Sequence, residues 1–204
     1  MEPENHQFLI DLLKTIVKTA GSDGAAGPWK DTSLFKLVVE QRLREVFITG
    51  QDMKAWVALN HLLRRISIPP ASIYDLRMAS LWNLRDVLET STVVVTVNML
   101  KVLMLWLGGH VHWLQLQILR AHSKSYPSDT LINLGLGDLP AITGEKLQPV
   151  VDLDRLQFWR QRLQGVHDAE TSDTMMKFYA SAVLSLLKVG VAEVDEWNEE
   201  LPVT

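Results

Sequence analysis

The chain contains no cysteine, which removes disulfide frameworks, thiolate metal sites, iron–sulfur clusters and thiol nucleophiles together. Stability must come from packing. It also lacks a basic excess: 20 Lys and Arg face 24 Asp and Glu, a formal charge of -4, so no positive field is present to hold a phosphate polymer. No nucleic-acid partner is expected. Long apolar runs are missing as well. The longest, residues 93–107, is interrupted by Thr96, Asn98 and Lys101 and falls short of the ~20 apolar residues that span a bilayer. It reads as a buried helix, and no membrane span is expected. The opening residues Met1, Glu2, Pro3 and Glu4 lack the basic-then-apolar order of a secretory signal. A cytoplasmic setting is expected, with the nucleus as the second choice.

The reactive motifs are missing too. No Gly-Lys pair occurs anywhere, so the phosphate-cradling loop of nucleotide hydrolases has no counterpart. No Gly-x-Ser-x-Gly elbow, no His-Glu-x-x-His helix and no Asp-Asp-x-x-Asp box is found. Gly135-Leu136-Gly137 begins like a dinucleotide fingerprint, but Pro140 stands where the third glycine belongs. No cofactor is expected.

What is present is helical periodicity. The apolar fraction of 47% with 22% charged residues is that of a globular chain, and 204 residues suit one sizeable core. Leu9, Leu12, Leu13, Ile16 and Val17 recur at three- and four-residue steps, predicting a helix over 1–20. Residues 21–30, with Gly21, Gly24, Gly27 and Pro28, predict a flexible linker. A bundle over 31–197 and an acidic tail over 198–204 follow. Within the bundle, helices are expected over 31–48, 53–66 and 72–88. The stretch 91–107 is read as helix despite its β-branched Val93, Val94 and Val95. Gly108-Gly109 is expected to break or kink it before a further helix over 110–122. Residues 123–149 concentrate Ser, Pro, Gly and Asp and predict one long Gly/Pro-rich loop. Two last helices start near Asp152 and Ser172. The expected fold is all-α: a single-domain irregular helical bundle of about seven to eight helices.

Two groups of side chains invite a functional reading. His110 and His112 carry imidazoles, the common ligands of transition metals, but positions two apart on a helix point ~200° away from each other. One core and one exposed histidine is the expectation, and no metal site. Seven tryptophans suit either a large core or an aromatic cavity, and core is the first reading. If a cavity exists, its walls are expected to be Trp82, Trp106, His110, Trp113 and Trp159. On the Trp159 helix, Asp152, Asp154, Arg155, Arg160 and Arg162 read as a solvated, self-paired face.

Taken in order, the segment Phe47-Ile48-Thr49-Gly50, then Trp106-Leu107-Gly108-Gly109, then the Gly/Pro-rich loop and a late box, Leu153-Asp154-Arg155-Leu156-Gln157-Phe158-Trp159-Arg160-Gln161-Arg162-Leu163, resemble an uncharacterised, all-helical fungal family, a domain of unknown function. The late box, with arginine, then Phe-Trp, a basic residue and another arginine, is the specific part. Leu156 stands where that family usually has tryptophan, and Leu163 where it often has phenylalanine. The likeness extends over most of residues 31–190. It implies a helical, cytosolic or nuclear fungal protein with no established activity, and it assigns no catalytic residue.

Two functions compete on these grounds. An interaction module, binding a protein partner or a second copy of itself, fits the empty motif list and the abundance of Trp, Met and Leu. A small hydrophobic ligand in an aromatic pocket beneath residues 123–149, in an enzyme or accessory factor of fungal secondary metabolism, is the alternative.

Overall fold

A computed structural model describes residues 53–67, 76–122 and 131–200, together with part of 39–47. The expected helix over 1–20, the linker over 21–30 and the last four residues lie outside the described residues. The fold is all-α, with no strand among the described residues and one isolated bridge between Asn133 and Val150. The helices are α1 (Met53–Ser67), α2 (Met78–Leu88), α3 (Val97–His122), α4 (Leu139–Thr143), α5 (Leu153–Asp168) and α6 (Thr174–Glu200). Helical turns also occur within 39–47. Packing divides the chain into two compact units, Met1–Ala79 and Ser80–Thr204.

In the first unit the buried side chains Val39, Leu43, Phe47, Trp56 and Leu63 supply apolar area. Phe47 and Trp56 meet with ring centroids 5.3 Å apart at 48°, a tilted geometry that aromatic quadrupoles favour. The fully buried Asn60 is satisfied within α1, its side-chain amide donating to the Trp56 carbonyl.

In the second unit α6 packs along both α3 and α5. Leu100, Leu103, Trp106, Leu107 and Ile118 of α3, Leu156, Trp159 and Leu163 of α5, and Ala180, Val183 and Leu187 of α6 are buried. Residues three and four apart on each helix thus form the inward stripe. Asp152 caps α5, its carboxylate accepting from the Arg155 N–H at 2.9 Å, and Asp173 does the same for Met176 at the start of α6.

Helix α3 differs from expectation at two points. It begins at Val97, because residues 93–96 are not helical and Thr96 acts as its cap, with Oγ1 accepting from Met99 N and the backbone carbonyl from Leu100 N. The β-branched run Val93 to Val95 keeps the non-helical backbone it prefers. The helix then passes through Gly108 and Gly109 without interruption. Both glycines face solvent, and the cost of about 1 kcal/mol each in a helix interior is offset by the buried Trp106, Leu107 and Leu114 on the other side. By length and composition residues Val97–Ala121 would suffice to cross a membrane, and half of that window is buried inside the protein. Helix α6, expected to fray from Glu193 onward, stays helical to Glu200.

Candidate functional site

Where α2 ends, Glu89 extends the helical hydrogen bonding by donating its N–H to the Arg85 carbonyl. The side chain turns into the core and is fully buried. A carboxylate in that position is stable only if its oxygens are occupied. Oε1 accepts from Arg155 Nε and from Trp159 Nε1, both at 2.7 Å. Oε2 accepts from Arg155 Nη2 and from the backbone N–H of Gly137, both at 2.9 Å. The arginine meets the carboxylate in the two-pronged geometry that planar guanidinium allows, across 66 residues of sequence.

Arg155 is as fully engaged as its partner. Its remaining N–H groups donate to the carbonyls of Pro149, Val150 and Gly135, so all five donors of the guanidinium have acceptors. One fully buried side chain therefore holds the end of α2, the start of α5 and two stretches of the 131–150 segment. Arg85 adds a fourth tie, Nη1 to the Leu134 carbonyl at 2.8 Å, while its Nε pairs with Asp86.

The 131–150 segment is shaped by these ties more than by its own hydrogen bonds. Leu134 N donates to the Pro149 carbonyl, and Gly135 takes a positive φ of 66°, a conformation that glycine adopts without strain. Gly137 lies so close to the end of α2 that a Cβ there would stand 2.2 Å from the Glu89 carbonyl oxygen. Leu139 N donates to that same carbonyl. Next in line, Asp138 accepts from both the backbone N–H and the hydroxyl of Ser91. These two hydrogen bonds hold its carboxyl below the usual aspartate range. The short helix α4 follows and is closed by Gly144 in the left-handed region.

The chemistry open to this node is limited by its completeness. A general acid or base needs an open side within hydrogen-bond reach of a substrate. Every oxygen direction of Glu89 and every N–H of Arg155 is already committed, and both side chains have zero exposure. The node positions chain segments. Among the described residues no group of three or more His, Asp or Glu could hold a metal ion.

The sequence-derived candidates Trp82, Trp106, His110, Trp113 and Trp159 fall into separate roles. Trp106 and Trp159 have no exposure and Trp82 very little. Trp106 and His110, one turn apart on α3, stack with ring centroids 5.8 Å apart. Trp113 is half-buried, His110 buried and His112 exposed. Trp159 joins the node through its indole N–H, and Arg155 lies 5.5 Å from its ring centroid. Two clefts in this unit are walled by other residues: one of about 310 Å³ by Ala121, Asp152, Leu153 and Asp154, and one of about 170 Å³ between α5 and α6.

Sequence reasoning placed Arg155 on a solvated face, and the structure corrects this. Glu89 carries no sequence signal of its own, and Gly137 enters the sequence reading only through its partial likeness to a dinucleotide fingerprint. The available signal was position: Arg155 shares the helical stripe of Leu156, Trp159 and Leu163, all buried.

The second unit is thus a cysteine-free helical module organised around a buried glutamate, arginine and tryptophan. The chain matches the model of the family described as "Protein of unknown function (DUF3632)" over residues 1–163, and it belongs to that family. No curated protein and no solved structure matches it.

Proposed function

We propose that this protein is a non-catalytic interaction module that docks another protein through apolar side chains carried by the two segments that the node and the Ser91–Asp138 pair tie together. The observation that carries the reading is a contrast on those segments. Their backbone is tied to the buried Glu89 and Arg155, whereas Val94 and Ile142 are 81% and 67% exposed. Leu136, between Gly135 and Gly137, is also exposed. Large apolar side chains held outward on a fixed backbone lose little conformational freedom on docking, which favours binding. Residues of this kind form the cores of protein interfaces.

The test is a Val94→Asp/Ile142→Asp variant, whose changes lie on exposed positions and leave the node untouched. Light scattering over a range of concentrations and quantitative recovery of co-purifying proteins from the native cell are compared with the unaltered chain. Loss of a defined partner, or of self-association, in the variant supports the reading. A chain that stays monomeric and retains the same proteins with and without the two substitutions refutes it.

A further inference from the structure

The cleft between α5 and α6 is lined by Gln157, Arg160, Gln161 and Gln164 from one helix and by Leu184 and Lys188 from the other. The four α5 residues recur at steps of three and four, so they share a face. That face looks toward α6 rather than toward the glutamate node. Two cations line the cleft and no carboxylate does, in a chain whose overall charge is -4. Neither Arg160 nor Lys188 has an ion pair among the described residues. Asp168, one turn beyond Gln164, is occupied by Gln164 and His167.

Arg160 carries the second observation. Its Nε is shut away from solvent and has no hydrogen-bond partner among the described residues. Buried donors in folded proteins are nearly always satisfied, and one without a partner calls for an explanation, a bound water or ion among them. A small rotation of the guanidinium would bring its Nε and Nη edge to a ligand in the two-pronged manner that suits oxyanions. Lys188 lines the same cleft from α6 as a point charge, and the amides of Gln157 and Gln161 add neutral donors. Leu184, nearly fully buried, is the one apolar side chain of the lining.

Size narrows the ligand. The volume of about 170 Å³ equals roughly five to six water molecules at ~30 Å³ each. It is well below the ~300 Å³ at which pockets for drug-sized molecules begin. Two cations lining one cleft favour a doubly charged tetrahedral group over a single carboxylate. From this geometry we infer that the α5–α6 cleft is a phosphate-binding site, taking either the free ion or the phosphate of a small monoester. The inference is independent of the docking surface proposed above.

The full chain, labelled with ¹⁵N, is titrated with inorganic phosphate and, separately, with phenyl phosphate, at constant ionic strength held by chloride. The readout is the arginine Nε–Hε region, where the Arg160 signal is identified by its loss in Arg160→Lys. A saturable shift of that signal is expected, with sulfate competing and chloride alone without effect. Lys188→Gln, read at the Arg160 signal, and Arg160→Gln, read at the backbone amide signals of Gln157 and Gln161, should each weaken binding about tenfold, the effect of one charge-assisted hydrogen bond. Both side chains reach the surface in part or fully, and unchanged circular dichroism confirms that the variants fold. Tighter binding of phenyl phosphate identifies a monoester as the source, and tighter binding of inorganic phosphate identifies the free ion. Absence of a saturable Arg160 shift with either compound overturns the assignment, as does an affinity in both glutamine variants equal to that of the unaltered chain.

Discussion

Replacing Arg155 by methionine keeps an unbranched side chain in place and removes the five donors. Glu89 is then left with only Trp159 Nε1 and Gly137 N as donors, in a site with no exposure. Breaking a buried ion pair from one side costs about 3–5 kcal/mol, because the remaining charge has no compensation. The carbonyls of Gly135, Pro149 and Val150 lose their donor as well, and each lost hydrogen bond adds about 1 kcal/mol where water does not replace it. Water reaches part of the segment, so a total of roughly 4–6 kcal/mol is expected. That is comparable to the lower end of the roughly 5–15 kcal/mol that typically separates folded from unfolded domains. Arg155→Lys should be intermediate, since it restores the charge and not the fork. Urea unfolding of the two variants gives the loss from the midpoint at constant slope, and hydrogen exchange over residues 131–150 reports whether the segment comes loose. A cost below about 1 kcal/mol for Arg155→Met, within the range of an ordinary surface change, together with unchanged exchange, would refute the reasoning.

Gly137→Ala places a methyl group where the Glu89 carbonyl stands; the backbone must shift, and a loss of about 1–3 kcal/mol is expected by urea unfolding, with Gly165→Ala as the control because that position is open. Trp159→Phe removes one donor from Glu89 Oε1 and part of a buried ring; destabilisation of about 1–3 kcal/mol is expected from the thermal midpoint. Asp138 has a carboxyl pKa lowered first by its bond to the Ser91 hydroxyl, so the stability it contributes is present above the usual aspartate range. That contribution is lost as pH falls through the lowered value, and Ser91→Ala should therefore flatten the acid limb of a stability-against-pH profile.

Helices were legible in the sequence because their cause is local and repeated. The stripe of Leu100, Leu103, Trp106 and Leu107 declares a buried face without knowledge of what covers it. Val93 to Val95 misled because a continuous apolar run does not show where a cap will fall, and Thr96 decides that by its hydroxyl. The glycine pair misled in the other direction: the propensity rule weighs Gly108 and Gly109 alone, whereas the helix is held by side chains on its opposite face. Arg155 was the largest error, and its cause is distance along the chain. Pairing rules for helices see partners three or four residues away, and Glu89 lies 66 residues earlier. The stretch 153–163 holds both the arginine and the tryptophan, but nothing in it names the acid that joins them.

Beyond the short α4 and one isolated bridge, the 131–150 segment has little regular structure of its own. Its form is a cast taken from two arginines and a glutamate. It can set only after the helices bearing those side chains have assembled, so it should order late in folding and loosen early if the second unit breathes. A surface built on such a cast inherits the state of the core beneath it: a partner that docks there would sense, from outside, whether the interior is properly assembled.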